Sequence, residues 1–80
     1  MLQKSVTEPP EELGVKIRRL RSERGIAQER LAIEAHVDQS GLSKFERGRD
    51  RRMSKQSLER IAAVLRLTYD QLLEGTRHRD

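Results

Sequence analysis

The 80-residue chain contains no cysteine and no tryptophan, a single phenylalanine, a single tyrosine, two prolines and two histidines. Without cysteine there is no disulfide framework and no thiolate metal site, a composition that fits the reducing interior of a cell. The histidines, His36 and His78, lie far apart in the sequence and have no thiol to complete a ligand set, so no metal is expected. No apolar run approaches the roughly 20 residues that cross a bilayer, and Met1 to Glu12 lack the apolar stretch of a signal peptide. The expectation is a cytoplasmic protein with no membrane partner. Catalysis is not expected, on similar grounds. There is no glycine-rich phosphate loop and no nucleophile, base and acid that the sequence brings together, and the acidic residues are scattered over helix surfaces. The chain is therefore expected not to be an enzyme and to need no cofactor.

What the chain does have is charge. Charged residues make up 38% and hydrophobic residues 34%, with 17 lysines and arginines against 13 aspartates and glutamates, a net charge of +4. At this length there is one core, and the few apolar residues must form one stripe on each helix for it to close. The basic excess favours a polyanionic partner, because each neutralised phosphate releases a counterion. Net charge alone does not name that partner. Where the charge sits decides more than its total.

Residues 1–10 show no periodicity and end in Pro9 and Pro10, which reads as a flexible N-terminal arm. From Glu11 the pattern turns helical. Leu13, Ile17 and Leu20 fall on one face, Glu11 and Glu12 suit the positive helix start, and Gly25 supplies a stop. Leu31, Ala32 and Ala35 mark a second helix that opens at Gln28, with Ala27 at the N-cap position where Ser or Thr would normally bond a backbone N–H. After His36 and Val37, Asp38 caps a third helix. Leu42 and Phe45 turn inward there, leaving Gln39, Ser40, Ser43 and Lys44 on the exposed side. From Arg47 to Arg52 four arginines stand against one aspartate, a net +3 in six residues. Ser54 caps a fourth helix carrying Leu58, Ile61, Ala62 and Leu65, and Thr68 with Gln71 has the capping-box form for a short fifth helix ended by Gly75. Residues 76–80 read as a disordered polar tail. The fold class is all-α, a compact five-helix domain over residues 11–75.

Leu13-Gly14, Ile17-Arg18, Leu20-Arg21, Gly25, Gln28-Glu29, Leu31-Ala32, Val37, Leu42-Ser43, Phe45-Glu46, Gly48, Ile61-Ala62 and the run Leu65 to Leu73 carry a resemblance. At this mutual spacing the chain resembles the lambda-repressor-like helix-turn-helix family, also called the Cro/C1 or XRE type, with the helix-turn-helix at about residues 28–47. It departs from the family pattern at Ala27, at Met53 where a proline is frequent, and at His36 where a glycine with positive φ is common.

The resemblance implies double-stranded DNA as the partner and transcription regulation as the task, with the protein on the nucleoid when bound. It gives base contacts to Gln39, Ser40, Ser43 and Lys44, and backbone contacts to Gln28, Arg47, Arg49, Arg51 and Arg52. Gln28 would also brace Gln39, whose amide has the donor and acceptor needed to pair adenine N6 and N7. Arg21 and Glu46 match a family pair that forms a structural salt bridge. One recognition helix reads only a few base pairs, so a homodimer on a two-fold symmetric operator is expected. Tyr69, Leu72 and Leu73 are its candidate surface, with the monomer core as the competing role for all three. No small-molecule effector domain is expected. A repressor or controller protein is the leading reading. A protein-interaction module on the same fold, such as an antitoxin, with DNA binding secondary or absent, is the alternative.

Overall fold

The computed structural model describes residues 10–78 and contains five helices: α1 (Leu13–Glu23), α2 (Gln28–Ala35), α3 (Gln39–Glu46), α4 (Lys55–Val64) and α5 (Tyr69–Leu73). Among the described residues none forms a β-strand, and no helix is long and apolar enough to cross a membrane. Of the expected arm only Pro10 is described, and residues 79–80 of the expected tail also lie outside the described residues.

Each helix buries the stripe that its spacing marks. Ile17 from α1, Leu31 from α2, Leu42 from α3, Leu58 and Ile61 from α4 and Leu72 from α5 are fully buried in one cluster. Fully burying an aliphatic side chain contributes roughly 1.5–3 kcal/mol, so these few positions hold the domain together despite the low apolar content.

The ends are made in several ways. Asp38 Oδ2 accepts from the Gly41 N–H at 2.9 Å, and Ser54 Oγ accepts from the Ser57 N–H at 3.0 Å. Thr68 and Gln71 form the reciprocal capping box. Ala27 has no side-chain cap. At the other end of α2, His36 adopts the left-handed region with φ 56°, and the Val37 N–H reaches back to the Ala32 carbonyl at 2.9 Å. Arg66 does the same after α4, with φ 64° and a 2.8 Å bond from the Leu67 N–H to the Ala62 carbonyl. A non-glycine residue there costs on the order of 1–2 kcal/mol, which the partly buried neighbours Val37 and Leu67 help to offset by packing on the core.

Three expectations are corrected. The first helix starts at Leu13 rather than Glu11, and Glu11 instead forms a parallel bridge with Thr76. The tail is ordered through residue 78. The Glu11 N–H donates to the Gly75 carbonyl at 2.9 Å, the Arg77 N–H donates to the Glu11 carbonyl at 3.1 Å, and the His78 ring sits edge-on to Phe45 at 6.4 Å. Polar composition suggested a free end, but the backbone groups of 75–77 find partners on the chain entering α1. Finally, Leu72 is fully buried in the monomer core, so it cannot form part of a dimer surface; Tyr69 and Leu73 are half-buried against the same core.

α1 and α3 approach most closely at Gly14. A Cβ placed there would lie 1.9 Å from the Phe45 carbonyl oxygen and 3.1 Å from the Glu46 Cα. Only hydrogen lets the two backbones meet, and this contact seats the C-terminal end of α3 against α1.

Candidate nucleic-acid interface

α2 and α3 are eight residues each, joined by the His36-Val37-Asp38 turn. Both helices face inward through leucine and alanine or phenylalanine, which leaves the N-terminal turn of α3 in solvent: Asp38, Gln39 and Ser40 are all exposed. The Asp38 cap fixes where that turn begins, and Leu42 and Phe45 fix which side of it faces out.

The turn itself is held from outside. Arg60, half-buried on α4, donates from Nε to the Ala35 carbonyl at 2.7 Å and reaches the His36 carbonyl from Nη2 at 3.4 Å. These are carbonyls at the end of α2, which has no basic residue of its own in its last turn. Charged donors on terminal carbonyls are among the stronger hydrogen bonds. Arg60 was not singled out in the sequence, and its spacing gives no hint that it reaches 25 residues back.

A chain of polar contacts runs from α1 to the exposed end of α3. Arg21 grips Glu46 with two parallel bonds, Nε to Oε2 and Nη2 to Oε1, both 3.0 Å, and its Nη1 donates to the Ile26 carbonyl at 3.0 Å. The Glu46 side chain is 2% exposed and that of Arg21 14%. Glu46 Oε1 accepts a further bond from Gln28 Nε2 at 3.1 Å, and Gln28 Oε1 accepts from Gln39 Nε2 at 3.3 Å. Four of the residues singled out in the sequence are thus joined in one line. The link between Gln28 and Glu46, 18 residues apart, had no signal in the sequence.

Beside this line lies a cleft of about 210 Å³ lined by Arg18, Arg21, Gln28, Ser43, Glu46 and Arg47. Three guanidinium groups border it, of which that of Arg21 is already committed to Glu46 and the Ile26 carbonyl, leaving Arg18 and Arg47 as its basic wall. Arg47 Nη2 donates to Ser43 Oγ at 2.9 Å, so the two residues act as one feature of the cleft wall. Lys44 is exposed one turn along α3, and Arg49, Arg51 and Arg52 are exposed in the loop that follows. That loop is partly compensated. Arg52 lies 3.8 Å from Asp50 and Arg51 lies 3.9 Å from Glu12, in pairs too exposed and too long to immobilise either arginine.

The sequence profile of the helix-turn-helix domain family matches residues 12–74. The chain belongs to the lambda-repressor-like helix-turn-helix family. Solved structures agree with this. The N-terminal DNA-binding domain of SinR from Bacillus subtilis is 35% identical with a TM-score of 0.74, over 82% of this chain and 96% of that one. SinR, the master regulator for biofilm formation, solved in complex with DNA, is 37% identical with a TM-score of 0.73, over 78% and 98%. The restriction-modification controller protein C.AhdI from Aeromonas hydrophila is 30% identical with a TM-score of 0.70, over 75% and 89%. In a complex of SinR with SinI the chain spans 60% of the chain that it matches. No curated protein sequence matches the chain. The chain is a DNA-binding helix-turn-helix regulator of that type.

Proposed function

We propose that the protein reads operator DNA in the major groove as a homodimer, acting as a repressor or a controller protein. Gln39, Ser40, Ser43 and Lys44 contact base edges; Gln28, Arg47, Arg49, Arg51 and Arg52 contact the phosphate backbone. The observation that carries this reading is the exposed N-terminal turn of α3, with the Gln39 amide already bonded to Gln28. An amide immobilised in this way loses little entropy on meeting a base. The arginines flanking α3 add a sequence-independent grip, which positions the helix without reading it. SinR, more than one third identical to this chain, has been solved in complex with DNA, which supports DNA as the partner here.

A homodimer follows from information content. Two recognition helices related by a two-fold axis meet successive grooves about 34–36 Å apart and read both halves of a palindrome. With Leu72 buried, Tyr69 and Leu73 remain as the apolar candidates for the surface between copies.

The test is selection of bound duplexes from a random pool, followed by affinity measurements across a salt series and the mass of the complex. The expected result is a palindromic consensus, two chains per duplex, and affinity that falls steeply with salt. Binding without sequence preference or salt dependence would overturn the proposal in favour of a protein-interaction module.

A further inference from the structure

The salt bridge and the base-reading glutamine are usually separate concerns, one for stability and one for specificity. In this chain they are joined through Gln28, which shares a Glu46 oxygen with Arg21 and bonds Gln39 at its other end. Glu46 Oε1 accepts both from Arg21 Nη2 and from Gln28 Nε2. Building on the reading of DNA by Gln39, we propose that Glu46 is a specificity-determining positioning residue, whose carboxylate sets through Gln28 which edge of the Gln39 amide faces the base.

The constraint is one of donors and acceptors. A glutamine amide is a two-sided object, and a half-turn about its last bond exchanges the donor and the acceptor with almost no change in shape. Gln28 left to itself can offer Gln39 either side. A carboxylate cannot be turned in this sense, because both oxygens only accept. Clamped by two N–H bonds from Arg21 and nearly excluded from water, Glu46 can take only the NH2 side of Gln28. The Gln28 oxygen is then left for Gln39, which must in turn present its own NH2 to Gln28. What remains free on Gln39 is its oxygen and one N–H, in a fixed order along the groove.

That order matters for the base read. Adenine offers N7 as acceptor and the N6 amino group as donor in a fixed sequence along the groove edge. An amide in one orientation meets both. The flipped amide sets oxygen against N7 and NH2 against the amino group, which replaces two bonds by two repulsions. The polarity of the whole line is therefore set at its buried end, two hydrogen bonds away from the group that touches DNA.

Substituting Glu46 by glutamine keeps the size and removes the polarity, since the amide introduced there can either donate to Gln28 or accept from it. The experiment uses the full chain, the duplex selected from a random pool, and the same duplex changed at the base pair that Gln39→Ala makes indifferent. Glu46→Gln is expected to lower discrimination at that base pair by roughly five-fold or more, the lower end of what one bidentate contact supplies. Discrimination at other base pairs should persist. In the Gln39→Ala background Glu46→Gln should produce no further loss at that position. Side-chain amide NMR of the free protein provides a readout without DNA: Glu46→Gln should shift the Gln39 amide resonances as well as those of Gln28. If Glu46→Gln does not fold, Gln28→Met cuts the line while leaving Arg21 and Glu46 paired, and it should shift the Gln39 resonances and lower discrimination at the same base pair. Loss of discrimination in Gln39→Ala with none in Glu46→Gln or Gln28→Met would overturn the relay alone. Full discrimination in Gln39→Ala would overturn the reading of DNA by Gln39, and the relay with it.

Discussion

The α2 and α3 pair opens at Ala27, whose side chain caps nothing, and turns through His36 against its backbone preference; the α4 and α5 pair opens at Ser54 and Thr68, both of which bond the N–H groups they are placed to bond. Each pair turns through a left-handed non-glycine residue, His36 or Arg66, so the turn does not distinguish them. The support does. The ends of α2 are secured from elsewhere, by Arg60 of α4 on its last carbonyls and by Glu46 of α3 on its first side chain. α4 is secured at its start by its own sequence neighbours. The pair proposed to face DNA therefore depends on the rest of the domain for part of its geometry, and tertiary contacts act together with the local Asp38 cap to set the aim of α3. Even in the second pair the five-residue α5 relies on a distant group at its end, where Lys16 Nζ donates to the Gln71 and Glu74 carbonyls at 2.8 and 2.7 Å.

If the first pair is held by distant groups, the largest loss of stability should come from cutting one of them. Glu46→Ala leaves the Arg21 guanidinium largely buried without its carboxylate, and should cost about 3–5 kcal/mol by urea unfolding. A cost near that of a surface pair would break the comparison. Gly14→Ala comes next. Its methyl group must displace the Phe45 carbonyl, and the overpacking should cost about 1–3 kcal/mol while moving α3 off α1.

The caps sharpen the contrast because they should act with opposite signs. Ser54→Ala should cost about 1 kcal/mol, whereas Ala27→Ser should add up to about 1 kcal/mol, each read as a shift in the urea midpoint. An unchanged midpoint in Ala27→Ser would mean that the start of α2 is already satisfied and the contrast is overstated.

The smallest effect concerns the strap between the chain ends. A side-chain hydrogen bond from Arg19 holds the Glu11 carboxyl below its ordinary value, with the Arg19 and Lys16 charges acting the same way against a smaller opposing effect of burial. A lowered folded-state value means the stabilisation is complete above the ordinary carboxylate range and is lost as pH falls through the folded-state value. The protection of the Glu11 and Arg77 amides against exchange, relative to their unfolded rates at the same pH, should therefore fall in acid, and Glu11→Gln should weaken that dependence.

What the sequence revealed follows the same division. The apolar spacing of Leu13, Ile17 and Leu20, of Leu31 and Ala35, and of Leu58, Ile61 and Leu65 located the helices, because a buried stripe repeats at the helical period. Asp38, Ser54 and Thr68 were legible as caps because a cap and its target are three residues apart. Arg60, the Gln28 to Glu46 bond and the bridge of Glu11 to Thr76 were not, since a polar side chain announces a capacity to bond without naming a partner far along the chain. Leu72 failed for another reason. A five-residue helix has too few turns for spacing to say which leucine faces in. The pairing of Arg21 with Glu46 and of Gln28 with Gln39 was implied by the family resemblance alone.

The division between reading and gripping is tested most directly by comparing Gln39→Ala and Arg49→Ala on the selected duplex and on random duplex across a salt series. Gln39→Ala should lose roughly 1–3 kcal/mol on the selected duplex and little on the random one, with its salt slope unchanged; Arg49→Ala should weaken both equally and reduce the slope by about 1. Equal losses on both duplexes in both variants would contradict the account.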